Sequence, residues 1–579
     1  MSRFAPDETL LYAEARDFSE LQAMMNRTGP GRLWQDPAFQ KLIEPLASNF
    51  NLRFTSGENG EGPPVEELKQ TFTGGGSIFL SELIFGGATQ DSPGYRERNT
   101  GFMLEFQGES EKVKNWIERY VIGIDRLPGT HVRNSEEFRG VTIYTTVFRQ
   151  KIFEVPEGAN LPDSVDGDTT LPEPLEVGTV EYHYEYAFVD NLCIVLEGQR
   201  AFMKKVLGNY FEAKDGGVSG ASLAGTEGFR LAFEPVRETA DLVGYVNLER
   251  LVKIYSEAGA LQRFASLELQ EFRSACAAVR LTPREMLTDL VVVAQPQPSG
   301  LASLFVDDFD NRFATRRLAP RDAVSYSSFW MDPEALYQHF SSVFFGAQGR
   351  EIIETQLEQR TGLRLREDLL EPLQGEIGSY MRLNAQGEMK SVFLIVLERP
   401  LGYADTMAEW IRFMYSQMQQ VMELRSVDYM GYPVYSWALR ENIDESKLPE
   451  NFQLPSTVFT VAGGCLILGE DEGEVRYMIR SILESGDSID RNSDFGRAVA
   501  ELEPGYQWLM WKDLAKTLDS SLKQTTKTPF AGMFLSRFFN MNAMPDKETL
   551  GKYLGSSVSG FYSSRGRSHY HNEIKWPAE

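Results

Sequence analysis

The chain has 579 residues, a length that indicates about three or four domains, or two large ones. Hydrophobic residues make up 42% and charged residues 24%, as in ordinary globular proteins, while the formal net charge is −25. Nucleic acids and anionic membrane surfaces both require a basic face, and no extended run of Lys or Arg supplies one, so this composition disfavours both as partners.

Predicted elements in the first half begin with the strand TLLYAEA, after which Asp17 can cap a helix that starts near Phe18. Asp36 and Pro37 repeat this capping pattern for a second helix. The strands GSIFLSE and GFMLEF then precede a helix around Trp116. They are followed by a strand GVTIYTTVF, a hairpin VEYHYEYAFVDNLCIVLEG, two helices, a strand DLVGYV, a capped helix and a closing strand pair.

The second half repeats this series of elements in the same order. Paired positions include Trp116 with Trp410, Gly140 with Gly431, Cys193 with Cys465, and Phe229 with Phe495. An unbroken order of matched segments favours a tandem duplication. We therefore predict a first copy at 1–294, a partly ordered linker at 295–317 and a second copy at 318–579, with an acidic, Pro- and Gly-rich loop at about 155–178 of the first copy.

The order of elements predicts the fold class α+β. Strands follow one another through hairpins, and helices are inserted between sets of strands, which differs from a regular alternation of strand and helix. We expect two homologous lobes, each a curved, mainly antiparallel sheet with helices packed on one face. The second face of each sheet must then be solvated, covered by the other copy or bound to a ligand.

The segment Pro-Asp-Glu-Thr-Leu-Leu-Tyr, from Pro6 to Tyr12, resembles the start of a tandemly duplicated bacterial domain family of unknown function. The start of a strand at Gly375-Glu376-Ile377-Gly378 and the helices at Phe229 and Phe495 agree with that family. The resemblance implies an envelope-associated protein, often behind a signal peptide, and implies no known activity.

The N-terminal sequence itself predicts a different location. MSRFAPDETLLYAE lacks the basic and then apolar pattern of a signal peptide, and no stretch of 18 apolar residues occurs. We therefore expect a cytoplasmic protein without a transmembrane segment. A periplasmic or envelope location is the alternative if a leader has been removed.

Two histidines near the C-terminus are the best metal-ligand candidates in the sequence. His569 and His571 alternate along one predicted strand, so they share a face with Glu573 and can share a metal ion. The corresponding strand of the first half has no histidine, and a solvent-facing edge strand explains the pattern better than a metal site does. We therefore predict no metal and no cofactor, and we keep the two histidines as weak candidates.

Function is not specified by any catalytic motif. The duplicated plan favours a non-catalytic, two-lobed binding or scaffold protein, whose sheet faces or groove between lobes present the aromatics Tyr144, Tyr186, Tyr435 and Trp437. Its ligand is then a lipid, a peptide or a partner protein. Two alternatives stay open, namely a metal-dependent or serine-type hydrolase with a site in one lobe or in the cleft between the lobes, and a structural subunit of a larger assembly.

Overall fold

The fold is described from a computed structural model of the chain. The structure describes residues 1–54, 71–85, 95–122, 131–154, 175–198, 201–236, 240–257, 269–296, 313–344, 346–441, 443, 454–484, 487–527, 539–540, 543–564 and 566–577. The chain forms two compact units. The first unit consists of Met1–Ala23, Asn51–Gln262 and Arg273–Arg280, and the second unit of Met24–Phe50, Arg263–Phe272 and Leu281–Glu579.

The strands of the described part, in chain order, are β1 (Leu11–Ala15), β2 (Gly76–Phe85), β3 (Tyr95–Glu105), β4 (Val132–Phe138), β5 (Val141–Glu154), β6 (Leu175–Val189), β7 (Leu192–Gly198), β8 (Leu242–Val246), β9 (Phe272–Leu281), β10 (Glu285–Ala294), β11 (Ser325–Trp330), β12 (Leu373–Leu383), β13 (Met389–Leu397), β14 (Met422–Tyr429), β15 (Tyr432–Leu439), β16 (Val458–Ala462), β17 (Cys465–Gly469), β18 (Trp508–Asp513), β19 (Ser556–Ser564) and β20 (Arg567–Lys575). The α-helices of that part are α1 (Phe18–Arg27), α2 (Gly29–Gln35), α3 (Pro37–Phe54), α4 (Ser110–Trp116), α5 (Met203–Lys214), α6 (Glu227–Phe233), α7 (Leu248–Glu257), α8 (Pro333–Phe344), α9 (Gly346–Thr361), α10 (Tyr403–Met414), α11 (Glu472–Leu483), α12 (Ser493–Val499), α13 (Leu514–Lys527) and α14 (Lys547–Gly551).

The first unit is built on an antiparallel sheet whose strand order is β4-β5-β6-β7-β3-β2-β1-β8-β9. Side chains alternate between its two faces, as the pleat of a strand requires. On β7, Ile194 and Leu196 pack with α5 and α6, whereas Cys193 and Val195 pack on the opposite face with α4. Helices thus cover parts of both faces, and the prediction of helices on one face only is wrong.

The second unit has an antiparallel sheet of order β14-β15-β16-β17-β13-β12-β11-β18-β19-β20-β10. Ile467 of β17 packs with α11 and α12, and the adjacent Leu466 packs with α10 on the opposite face. Helix α2 belongs to this unit, because Leu33 packs against Ala515 and Leu550. The α+β class and the mainly antiparallel sheet are confirmed in both units.

Local turn chemistry explains where the hairpins reverse. The predicted turn at Asp190 and Asn191 is confirmed between β6 and β7, with a positive φ of 50° at Asp190. Hairpin β14–β15 turns at Met430 and Gly431, with φ angles of 56° and 87°. Two successive positive φ angles are the signature of the turn type that matches the twist of an antiparallel hairpin.

Two predicted irregular segments lie mostly outside the described residues. Of the loop predicted at about 155–178, residues 155–174 are not described, and 175–178 belong to β6, so the strand begins earlier than predicted. Of the linker predicted at 295–317, residues 297–312 are not described, and Ala314–Arg317 form a 3₁₀ turn. The predicted copy boundaries stay predictions. No α-helix in the described ranges has the length and apolar character needed to cross a bilayer.

Candidate apolar groove and histidine cluster

The four aromatic residues predicted to line a binding face lie in two separate pairs, one in each unit. Tyr186 is 2% exposed, stacks on Tyr144 with ring centroids 4.9 Å apart, and donates a hydrogen bond of 2.5 Å to Glu118. Tyr435 is 4% exposed and stacks on a phenylalanine, while Trp437 contacts Tyr415 edge to face. Tyr186 and Tyr435 therefore pack the interior, and a ligand-binding role for the four residues stays a prediction.

An apolar groove lies instead on the open part of the first unit's sheet. Its floor consists of two rows of side chains that run across five paired strands, β9, β8, β1, β2 and β3. The first row is Ala277, Gly244, Ala13, Ile78 and Phe102, and the second row is Val279, Leu242, Ala15, Gly76 and Leu104. With neighbouring strands about 4.8 Å apart, each row spans about 19 Å. The groove encloses about 550 Å³.

Larger side chains form the walls of this groove. Phe18 at the start of α1 lies beside Gly76, and Trp116 and Val121 line the side formed by α4 and the π-helical turn that continues it. Ile78 is 58% exposed on the floor. Large apolar surface that is left open on a concave sheet face commonly marks a binding site.

Polar groups contribute little to the lining. None of the described lining residues is cationic. The one carboxylate among them, Glu14, accepts hydrogen bonds from the Met1 amino group and the Tyr12 hydroxyl. Burial is the main cause that raises the pKa of Tyr12, and the neighbouring Glu14 carboxylate raises it further, so the phenol stays neutral. The groove therefore offers shape and apolar contact rather than charge.

Glycine at position 244 keeps the floor of the groove open. A Cβ atom placed on Gly244 meets no atom within 4 Å, and its φ is not positive, so a side chain there would project into the groove without straining the backbone. By contrast, a Cβ on Gly76 would lie 2.5 Å from the Phe18 ring. Gly244 is therefore the position at which the groove can be filled with least effect on packing.

The second unit carries different side chains at the same places in its strand order. The row that corresponds to the first floor row is Ser559, Met510, Ser327, Ser379 and Phe393. Trp508 donates its indole N–H to the Ser327 hydroxyl at 2.9 Å. Serines and a large methionine thus replace the small apolar residues, so the second sheet has a more polar and more filled face at this row.

The predicted histidine pair lies on β20 in the second unit and gains a third residue. His569 Nε2 and His571 Nδ1 each lie 2.8 Å from the same oxygen, Oδ1 of Asp289 on β10. Strand β20 pairs with β19 on one side and β10 on the other, so the prediction of an edge strand is wrong. Among the described residues, these three form the group whose ligand atoms are close enough to hold a metal ion.

The two imidazoles and the carboxylate perturb one another. Partial burial alone would raise the pKa of Asp289, but the hydrogen bonds from both imidazoles outweigh it and hold the pKa well below its usual value. The hydrogen bond from His571 to Asp289 in turn raises the pKa of His571. Glu573, on the same face, is paired with Lys575 at 3.2 Å, which leaves the three-residue cluster as a distinct group.

The three cysteines are free and buried, as the sparse cysteine content indicates. Desolvation raises the pKa of Cys276 and of Cys465 to about 12, so both remain thiols at neutral pH. Cysteine thiolate is the form that acts as a nucleophile or a metal ligand. These side chains are therefore packing residues.

Comparisons with known proteins give few matches. No protein-family model matches the sequence, and the comparison with curated proteins gives no match. Among solved structures, the chain is similar to crystal form III of TP0453, with 9% identity and a TM-score of 0.21 over 52% of this chain and 81% of that chain. Crystal form IV of TP0453 is similar at 9% identity and a TM-score of 0.20, over 50% and 80%. Likenesses this weak give no information about the function of this chain.

Proposed function

We propose that this is a non-catalytic binding protein whose first unit holds a hydrocarbon chain in the apolar groove. The observation that carries the proposal is the open double row of small and apolar side chains on paired strands, walled by Phe18, Trp116 and Val121. A volume of about 550 Å³ lies within the range of small-molecule sites. Removing apolar surface from water contributes about 25 cal/mol per Å² of favourable free energy. This term favours a ligand that brings apolar contact and no charge.

A hydrocarbon chain fits the groove better than a folded partner protein. The groove is lined by 16 residues, while a stable protein interface uses about 20–30 residues on each side. Such interfaces also carry a polar rim, whereas the lining here is almost entirely apolar. The long, narrow floor of Ala13, Ala15 and Gly244 suits a linear chain that lies across the strands.

We also propose that the two units descend from one duplicated sheet-and-helix plan. The strand order β4-β5-β6-β7-β3-β2-β1-β8-β9 has the same form as β14-β15-β16-β17-β13-β12-β11-β18-β19. Phe229 contacts Tyr12 and Tyr245 edge to face, as Phe495 contacts Tyr326 and Trp511. Isolated bridges join Pro6 to Ser222 and Pro320 to Ser488. On this proposal the copies share their packing and differ at the first floor row, where the second unit carries three serines and a methionine.

A side chain placed at Gly244 tests the binding function. Gly244→Met fills the groove with the residue type that stands at the corresponding place of the second unit, Met510. We expect a fluorescent fatty-alcohol probe, which carries no charge, to bind the wild-type chain, and its affinity to fall at least about tenfold in the variant, a loss of about 1.4 kcal/mol. Probe fluorescence titration measures both affinities.

Gly208→Met is the matched control. Gly208 lies in α5, on the other face of the same sheet, and a Cβ there also meets no atom within 4 Å. The control variant should bind the probe like the wild type. Equal affinity of Gly244→Met and the wild type, or no probe binding by the wild type, contradicts the proposal.

A further inference from the structure

We propose that Asp289, His569 and His571 form a binding site for one divalent first-row transition-metal ion, for which Zn²⁺ is the probe. The site lies in the second unit and uses none of the groove residues, so it stands or fails independently of the proposed function. Two imidazole nitrogens and one carboxylate oxygen are a donor set that suits zinc, copper, nickel or iron rather than magnesium or calcium.

The backbone holds the three side chains on one face of paired strands. In the β10–β20 register, Asp289 is directly opposite His571, and Val291 is opposite His569. The two histidines are two residues apart, so their side chains share a face, and Asp289 reaches both of them from the neighbouring strand. Because β20 is paired along both sides, the ligands are carried by regular strand backbone rather than by a loop.

The two nitrogen–oxygen distances need only a small expansion to accept an ion. Both ring nitrogens now lie 2.8 Å from Asp289 Oδ1. Zinc binds nitrogen and oxygen at about 2.0–2.2 Å, which places two tetrahedral ligand atoms about 3.4 Å apart. The change is about 0.6 Å per nitrogen–oxygen pair, which rotation of the imidazoles can supply. Each imidazole would bind the ion through the nitrogen that now faces Asp289, and its other ring nitrogen would carry the N–H.

Burial gives the site one closed side and one open side. Asp289 is largely buried, with 13% of its side chain exposed, while His569 and His571 are exposed to 32% and 25%. An ion held by three protein ligands on such a surface keeps a further position for water or another small ligand. The arrangement therefore provides an accessible ion rather than a closed structural metal site.

A purely structural hydrogen-bonded cluster is the alternative explanation of these contacts. One carboxylate oxygen can accept hydrogen bonds from both imidazoles, and either imidazole could also hydrogen-bond to water because both are partly exposed. Two different ring nitrogens, Nε2 of His569 and Nδ1 of His571, instead converge on one oxygen. The three ligand atoms lie within 4.8 Å of one another, close enough to share one ion, and uptake of an ion separates the two explanations.

Zinc titration of the full-length chain tests the site. The protein is purified without a histidine tag, stripped with a chelator and titrated with Zn²⁺ against a chromophoric competitor. We expect one ion per chain, with an affinity that falls at least about tenfold in Asp289→Asn and in His571→Gln. Loss of a residue that only hydrogen-bonds to a metal ligand already lowers metal affinity about 10- to 100-fold, and loss of the ligand itself should cost at least as much. His183→Gln, on β6 of the first unit, is the control and should bind zinc like the wild type.

X-ray absorption on the zinc-loaded wild type gives a second measurement that needs no variant. It should report imidazole nitrogen and carboxylate oxygen neighbours and no sulfur. The proposal is overturned if the stripped wild type takes up no ion, if the bound ion has sulfur neighbours, or if both ligand variants, folded by circular dichroism, bind zinc as tightly as the wild type.

Discussion

Single side chains in both units join distant backbone segments through hydrogen bonds to N–H groups. Glu376 of β12 is 4% exposed and accepts from the N–H groups of Ala314 and Thr315 at 2.7 and 2.8 Å. Glu185 of β6 accepts from Phe202 and Met203 in the same way, both at 2.9 Å. Buried carboxylates persist only when such donors compensate for the loss of water.

Asp471 gives a pH-dependent contribution to stability at the start of α11. Partial burial would raise the pKa of Asp471, but its bond from the Glu474 N–H and its ion pair with Lys390, at 3.0 Å each, lower the pKa below its usual value. A carboxyl whose pKa is lower in the folded state stabilises the fold above its unfolded pKa, and this contribution is lost as pH falls through the folded pKa.

We expect Asp471→Asn to keep the helix cap, because asparagine also accepts from the N–H, and to lose only the charge. The variant should be less stable than the wild type at pH 7, by less than about 1 kcal/mol since the side chain is 44% exposed and screened. The difference should shrink as pH falls through the folded-state pKa of Asp471. Urea unfolding at several pH values measures it, with Asp487→Asn, 72% exposed, as control. A difference that persists undiminished at pH 2 contradicts the assignment.

The turn of the β14–β15 hairpin depends on a glycine. At Gly431 the φ of 87° lies in the left-handed region, while a Cβ atom there meets nothing within 4 Å. The need for glycine is therefore conformational and not steric. The same turn form, with positive φ at Arg139 and Gly140, reverses β4 into β5 in the first unit.

We expect Gly431→Ala to lower the free energy of unfolding by about 1–2 kcal/mol, the cost of a left-handed backbone for a residue with a Cβ. Gly208→Ala, in the interior of α5 with a negative φ and open space, should instead be neutral or stabilising by up to about 1 kcal/mol. Urea unfolding followed by tryptophan fluorescence compares the two, and equal effects of both changes would show that the turn conformation does not matter.

At the scale of the whole molecule, the two units do not follow the order of the chain. Helix α2 and strand β10 lie within the predicted first copy, 1–294, but belong to the second unit. Leu33 of α2 is 5% exposed and packs on Ala515 and Leu550. Strand β10 pairs with β20 over nine residue pairs.

Leu33→Ala should therefore destabilise the second unit rather than the first. Deletion of a buried leucine side chain costs about 2–5 kcal/mol, depending on how far the cavity collapses. We expect faster amide hydrogen exchange in the peptides of α13, α14 and β18, with β1 and β2 unchanged. Leu21→Ala, which lies in the first-unit part of α1, is the control. Faster exchange in β1 and β2 alone would contradict the assignment of α2.

Local features were predictable from the sequence because their causes lie within a few residues. Asp17 accepts from the Glu20 N–H at 2.8 Å and Asp36 from the Ala38 N–H at 2.8 Å, which confirms the predicted caps. The turn at Asp190 and the alternation of strand side chains likewise follow from local backbone preferences. The α+β class follows from the order of these elements.

The sequence by itself therefore determined the element types, their capping and the mainly antiparallel character of the sheets. Only the tertiary structure decided which strands are neighbours, and both candidate sites depend on that choice. Ala13 and Gly244 adjoin on paired strands although they are 231 positions apart, and Asp289 meets His571 across 282 positions. A period of two indicates which residues share a face of one strand, but it carries no information about the strand alongside, because that pairing is set by packing across the whole sheet.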